Sequence, residues 1–291
     1  MKLRKKILLG AMGGLMCLSL AACGNQAVAT TKGGRITRTS YYNNMKKTAN
    51  GKQVLQQMIL DKVLSKDYGK DVKSSQVNAI MNQMKAQYGS EFDMLLQQQG
   101  MTTAQLRQSL RSKLLLREAV KHNTDFTPKM LKKQFKSFEP KVTVAQILVT
   151  SKSQAQTVES KLKSGDSFAK VAKKYSKDPS KKNGGRLAPF DNTAKLSPKF
   201  KDAAFKLHNG EYTKTPVKTQ YGYQIIKMIH KPERGTYKDN KAALENQITD
   251  KEMKNASLMH KVVSKVLQNG DVNIQDNSLK NILAGYMSSS K

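Results

Sequence analysis

Apolar residues recur at helical spacing from Gly51 onward. Val54, Leu55, Met58, Ile59 and Val63 step by three and four and predict one face of an amphipathic helix. A second helix is expected from a cap at Ser75, with Val77, Ile80, Met81 and Met84 on one side and Gly89 beyond its end. Glu91 to Gln99 reads as a short third helix stopped by Gly100. Thr102, with Gln105 three residues on, forms a capping box ahead of Leu106, Leu110 and Leu114. Thr127-Pro128 opens another helix, Thr as cap and Pro in the first turn. After Pro140 the period changes. Val142 to Val149 is a β-rich run, followed by helices over Ser153 to Lys163 and Ser167 to Tyr175. A loop holding Asp178-Pro179 and Gly184-Gly185 leads to a short strand at Arg186 to Phe190. A helix at Pro198 to Leu207 and a strand at Tyr223 to Ile229 complete the pattern. The order β-α-α-β-α-β predicts a compact α+β unit. From about Asp239 to Gln268 one long amphipathic helix is expected, with Leu244, Ile248, Met259, Val263 and Leu267 along one side. Ile282 and Leu283 are placed to dock, and the Ser-rich end to be loose.

The methionines Met58, Met81, Met84 and Met94 have two readings. At helical spacing they are mostly core, yet a flexible Met-lined groove also accepts varied apolar partners. Gly24 to Asn50 is polar without firm periodicity and reads as a tether.

The first residues change the picture. Lys2, Arg4, Lys5 and Lys6 precede an uncharged apolar stretch from Ile7 to Leu20, too short to span a bilayer comfortably and typical of a secretory signal. Leu20-Ala21-Ala22-Cys23 resembles the bacterial lipobox, which implies lipid attachment at Cys23 and anchoring on the outer face of a cell membrane. Cys17 leaves with the signal, so the mature chain keeps one sulfur at its first residue and forms neither a disulfide framework nor a cysteine metal site. No ligand cluster implies a metal or cofactor. The chain has 52 Lys+Arg against 21 Asp+Glu. The cations are mostly Lys, spread along its length without a nucleic-acid-binding motif, and export removes nucleic acid as a partner. A basic surface facing an anionic membrane and cell wall, and attracted to acidic unfolded clients, is the better reading. A solute-binding lipoprotein is disfavoured, because the long alternating α/β pattern of two large lobes is missing.

Residues 140 to 233 resemble the parvulin class of peptidyl-prolyl isomerases through AQILV, GDSFAKVAKKYSKDPS, NGGRLAPF, LSPKFKDAAFKL and NGEYTKTPVKTQYGYQIIK, in the right order across the whole domain. Lipobox, helical module, parvulin domain and C-terminal helix together resemble the PrsA-type foldase lipoproteins, with a SurA-like N-terminal helix at Gly100 to Val120. The resemblance implies the following organisation: signal peptide 1–22, tether 23–50, helical chaperone module 51–139, parvulin domain 140–233 with an antiparallel sheet flanked by helices, and a C-terminal segment 234–291 completing the chaperone module. It implies unfolded or partly folded secreted proteins as clients and leaves open the pairing of two chains. The proline-binding wall falls on Leu196 and Phe200, and the polar Cys or Asp position on Asp178, which by itself also reads as a turn former. Two family histidines fall on Gln146 and Gln224, while His122, His208, His230 and His260 match neither position. A Gln pair hydrogen-bonds but does not titrate. The expectation is a cleft that survives with weak or absent isomerase chemistry, the alternative being a fully active isomerase.

Overall fold

The structure, a computed structural model, describes residues 26–287. The expected signal peptide and Cys23 lie outside the described residues.

The chain begins with strands β1 (Ala27–Thr31) and β2 (Gly34–Thr37), paired antiparallel around the loop Lys32-Gly33, and helix α1 (Arg38–Met45). A tether was expected here. Gly34, at φ +123°, makes the tight turn, and every strand residue but the last is exposed, so burial gives the sequence no alternation to reveal the hairpin.

The helical module follows: α2 (Ala49–Tyr68), α3 (Ser74–Tyr88), a 3-10 turn (Gly89–Glu91), α4 (Phe92–Gln98), α5 (Thr103–His122) and α6 (Pro128–Lys136). The cap chemistry sets these starts. Gln105 N donates to Thr102 Oγ1 at 3.2 Å while Thr102 N donates to Gln105 Oε1 at 2.8 Å, and Thr127 Oγ1 accepts from Met130 N ahead of Pro128. The α3 cap is Lys73, not Ser75, and its backbone N–H reaches Gln76 Oε1 at 2.7 Å. Helix α2 is turned differently from the expected stripe. Val63 and Leu64 are buried, whereas Val54 and Met58 are 56% and 59% exposed. Of the methionines, Met81 is buried and Met94 is half exposed at its helix surface.

The second unit contains β3 (Thr143–Val149), α7 (Lys152–Lys163), α8 (Phe168–Tyr175), a 3-10 turn (Pro179–Asn183), α9 (Pro198–Lys206), β4 (Val217–Thr219) and β5 (Gly222–His230), with sheet order β3-β5-β4, all antiparallel. The expected strand at Arg186 to Phe190 pairs with β3 only at its ends, through Ala145↔Arg186 and Val142↔Phe190 bridges. One sheet face (Ala145, Ile147, Val149, Ile225) packs on α7 and α8, and the other (Val144, Ile226, Met228) packs on α9.

The C-terminal segment is not one helix but two, α10 (Lys241–Glu252) and α11 (Ala256–Asn269), divided where Asn255 caps α11 by accepting from Leu258 N. A 3-10 turn (Asn277–Leu283) and α12 (Ala284–Met287) end the described chain. The break redirects the chain between partners: α10 lies on α5 and α6, α11 on α2 and α5. Val262 and Val266 share one core with Val63, Leu64, Leu115, Ala119 and Val120, and Leu244 and Ile248 share another with Leu131 and Phe138. The helical module is thus assembled from both chain ends, with the sheet unit inserted. Arg234 binds the two crossings together, its Nε donating to Phe138 O at 3.0 Å and its guanidinium lying 4.5 Å from the Phe135 ring centroid. Among the described residues no helix is long and apolar enough to cross a membrane.

Candidate functional site

The site is built on the sheet face that meets α9. Strand alternation puts Val144 and Gln146 of β3 on this side, with Gln224, Ile226 and Met228 of β5. In register Gln146 lies opposite Ile226 and Gln224 opposite Leu148, so the two glutamines are diagonal neighbours rather than a facing pair. Both are buried, each 6% exposed. No hydrogen bond joins them, and Gln224 Oε1 has no partner among the described residues. The hydrogen bond that such a pair can make is therefore not formed.

The α9 side supplies apolar walls. Phe200 is 2% exposed, 6.0 Å from the Phe190 ring, and Leu196 is half buried in the same cluster with Val217 and Ile226. Lys201 shapes the approach to Leu196 by donating from Nζ to Asn192 O at 2.7 Å and Ala194 O at 3.1 Å.

Asp178 arrives by another route. Ser176, 2% exposed, accepts at Oγ from both Leu148 N at 3.1 Å and Asp178 N at 3.2 Å, and Lys177 N donates to Leu148 O at 2.8 Å. These bonds fix Asp178 beside the residue opposite Gln224. Its Oδ1 accepts from Ser180 N at 2.8 Å, so the carboxylate caps the 3-10 turn that Pro179 begins. The loop then returns to β3, where Gln146 N donates to Gly185 O at 2.8 Å. Gly185 sits at φ +83° and a Cβ there would lie 2.3 Å from Gln146 O, so only glycine lets the loop close on the strand.

The structure therefore brings Leu196 and Phe200 together with the face carrying Gln146 and Gln224, and ties the Asp178 loop to β3 alongside. Beside α9 and β4, Ser197, Pro198, Lys199, Thr219 and Gln220 border an open depression of about 480 Å³. Two residues escape sequence reasoning: Ser176, and Thr213, whose Oγ1 accepts from Ile226 N at 3.1 Å and braces β5. Small hydroxyls in polar loops carry no pattern that marks them. The histidines stand elsewhere. His122 lies by Asp71, His208 by Glu211, His260 on Tyr286, and His230 at the exposed end of β5. Among the described residues no group of His, Cys, Asp or Glu is arranged to hold a metal ion.

Residues 135–230 match the family described as Rotamase: PPIC-type PPIASE domain. The chain is 53% identical to the foldase protein PrsA of Levilactobacillus brevis, across 98% of this chain and 96% of that one. It is 51% identical to that of Pediococcus pentosaceus across 98% of each. Among solved structures, the foldase protein PrsA of Streptococcus pneumoniae aligns with a TM-score of 0.65 at 28% identity, covering 90% of this chain and 99% of the other. A sheet unit of rotamase type set within a helical module made from both ends of the chain, and relatives alike over nearly the full length, have one meaning: the chain belongs to the PrsA foldase family.

Proposed function

We propose that this chain is a foldase held by a lipid on Cys23 to the outer face of a cell membrane, where it assists exported proteins as they fold, and that its parvulin cleft binds prolyl segments with weak or no isomerase turnover. The observation that carries the reading is the joint placement of Leu196 and Phe200 against the strand face where Gln146 and Gln224 stand. Rotation about an X-Pro bond is slow because the amide is planar by resonance. A catalyst must bind the twisted amide better than the planar one. An apolar wall grips the proline ring and removes water from the amide, and polar groups must then favour the charge pattern of the twisted state. In this reading Leu196 and Phe200 supply that wall. The two amides beneath it are buried, non-titrating and unlinked, a poor substitute for two imidazoles.

The alternative, a fully active isomerase, shares the same cleft and differs in turnover. An exchange assay on a short X-Pro peptide at substoichiometric protein, run beside an aggregation assay on the mature chain, separates the two. Suppressed aggregation without faster cis/trans exchange supports the holding role. Fast exchange supports the alternative, and failure of both removes the proposal. Replacing Cys23 by Ser is expected to release the protein from membranes, and continued membrane retention would argue against the lipid anchor. Unfolded secreted proteins are the clients this reading implies, the anionic cell wall its surroundings, and pairing of two chains through their helical modules is compatible with it.

A further inference from the structure

The chain after Cys23 is free of acids until Asp61, the first Asp or Glu of the whole sequence, while Lys32, Arg35, Arg38, Lys46, Lys47 and Lys52 fall before it. Lys46 pairs with Asp276 at 2.9 Å. Lys32, Arg35 and Arg38 are exposed and pair with no carboxylate among the described residues. These three stand on one small unit. Lys32 is in the β1–β2 loop, Arg35 is on β2, and Arg38 opens α1. The Arg38 backbone N–H donates to Gln26 O at 2.9 Å and closes the base of the hairpin. The same unit exposes Val28, Ile36 and Tyr41. Register sets Ile36 beside Ala29 on one face of the ribbon and Arg35 beside Thr30 on the other. Helix α1 packs on both strands, yet neither strand buries a residue. A two-stranded ribbon is marginally stable in water by itself, so a surface laid against it would stabilise it.

We infer that the β1–β2 hairpin docks in the headgroup layer of an anionic bilayer, with Ile36 and Ala29 toward the acyl chains and Lys32, Arg35 and Arg38 among the phosphates. The inference rests on the lipid attachment at Cys23 proposed above, and the bilayer is the one that holds that lipid. Chain length argues for this occupant. Gln26 is three residues beyond Cys23. Three Cα steps of about 3.8 Å reach about 11 Å at most. The base of the hairpin is thereby confined to a distance comparable with the Debye length of about 8 Å at physiological salt. At that distance each Lys or Arg adds to the attraction for anionic lipid. An interfacial element needs one apolar and one cationic face, and long Lys and Arg stems carry their charges to the phosphates. The lipid gives residence at the membrane, and the hairpin gives direction. Tyr42 and Lys46 both donate to Asp276 at 2.9 Å, tying α1 to the last 3-10 turn. A docked hairpin therefore also sets which way the helical module faces.

The test uses the full mature chain. Its unlipidated form, Cys23→Ser, is sedimented with phosphatidylcholine vesicles that contain or lack phosphatidylglycerol. The triple variant Lys32→Gln, Arg35→Gln, Arg38→Gln is expected to weaken binding to the anionic vesicles by about tenfold or more. Lys161→Gln, Lys163→Gln, Lys170→Gln removes the same charge from α7 and α8 and is expected to weaken it by less than about threefold. Equal losses would make the attraction a property of total charge and overturn the inference. Depth is read separately, in a chain whose hairpin charges are intact. With Cys23 lipidated, Ala29→Cys supplies the one free thiol of the mature chain. An environment-sensitive dye on it is expected to shift to the blue on anionic vesicles, and the same dye on Thr157→Cys of α7 is not. A lipidated chain that stays on the vesicles while its Ala29→Cys dye reports water overturns the inference and leaves the anchor standing. A lipidated chain that does not stay on them removes the anchor, and the inference with it. An equal blue shift on soluble poly(glycerol phosphate), without lipid, makes the hairpin a surface for anionic polymers and also overturns the inference.

Discussion

Gln224 is one diagonal step from Gln146 across the β3–β5 ladder, and its buried Oε1 meets no donor among the described residues. Gln146 lies opposite Ile226 and keeps its place through its backbone N–H on Gly185 O. The two polar residues are therefore held by separate constraints and are not bonded to each other.

An unsatisfied acceptor inside a packed sheet face destabilises the fold by about 1–3 kcal/mol. Gln224→Met keeps the length and removes the acceptor. It is expected to raise the stability of the sheet unit by about 1 kcal/mol, seen as a higher midpoint in urea with unchanged slope. A lower midpoint would mean that the Gln224 amide is satisfied in solution.

The same two positions bear on turnover. If the walls made by Leu196 and Phe200 are otherwise competent, the double variant Gln146→His, Gln224→His should accelerate cis/trans exchange of an X-Pro peptide by at least tenfold, below the usual span of about 10²–10⁴ for a positioned acid or base. An unchanged exchange rate in a folded double variant would count against the site's placement at these strands.

Much of this arrangement is legible in the sequence because its signals are local. The Thr102/Gln105 box, Thr127-Pro128 and the change of period after Pro140 place α5, α6 and β3 within a residue or two. What escapes depends on partners distant in the chain. The apolar spacing from Leu244 to Leu267 runs through Asn255 as if unbroken, and only the change of packing partner from α6 to α2 explains the cap there. Val54 and Met58 fit a helical stripe as well as Val63 does, but the face that is covered is set by α5 and α11. In the site, the residue types at 146 and 224 were readable, whereas their diagonal offset is a matter of strand register, which pattern alone does not define.

Gly185→Ala tests the loop closure on which the Asp178 segment depends. The residue is at φ +83° and the new methyl would meet Gln146 O at 2.3 Å. Backbone strain and the clash together should cost about 2 kcal/mol or more. Amide exchange should rise over 178–186 before the rest of the sheet unit. Stability within a few tenths of a kcal/mol of wild type would show that the loop has another way to lie.

Acid should loosen the contact between α1 and the last 3-10 turn. Ser278, Lys46 and Tyr42 all donate to Asp276, holding its carboxyl well below the ordinary carboxylate value, and the bond raises Tyr42 in turn. The sign follows: a depressed folded value gives stability that is complete above the unfolded pKa of about 3.9 and is lost as pH falls from there through the folded value. Asp276→Asn should remove this acid sensitivity. It would be checked by following Tyr42 by NMR from neutral pH downward, and a titration identical to wild type would exclude Asp276 as its source.

The assembly of one helical core from both chain ends predicts asymmetric consequences of truncation. Removing residues from 256 onward takes away Val262 and Val266, which pack against Leu64 and Leu115, the latter fully buried. A Leu→Ala change at such a site costs about 2–5 kcal/mol, and losing a whole apolar helix face exceeds that, so the helical module should lose cooperative unfolding. The sheet unit has its own two cores, one on each face, with no member from α11. Its amide spectrum should remain dispersed while the resonances of α2 and α5 collapse. A truncated chain in which α2 and α5 keep native protection would show that the N-terminal helices fold without the C-terminal segment, and the two-ended module would then be a packing arrangement rather than a folding unit.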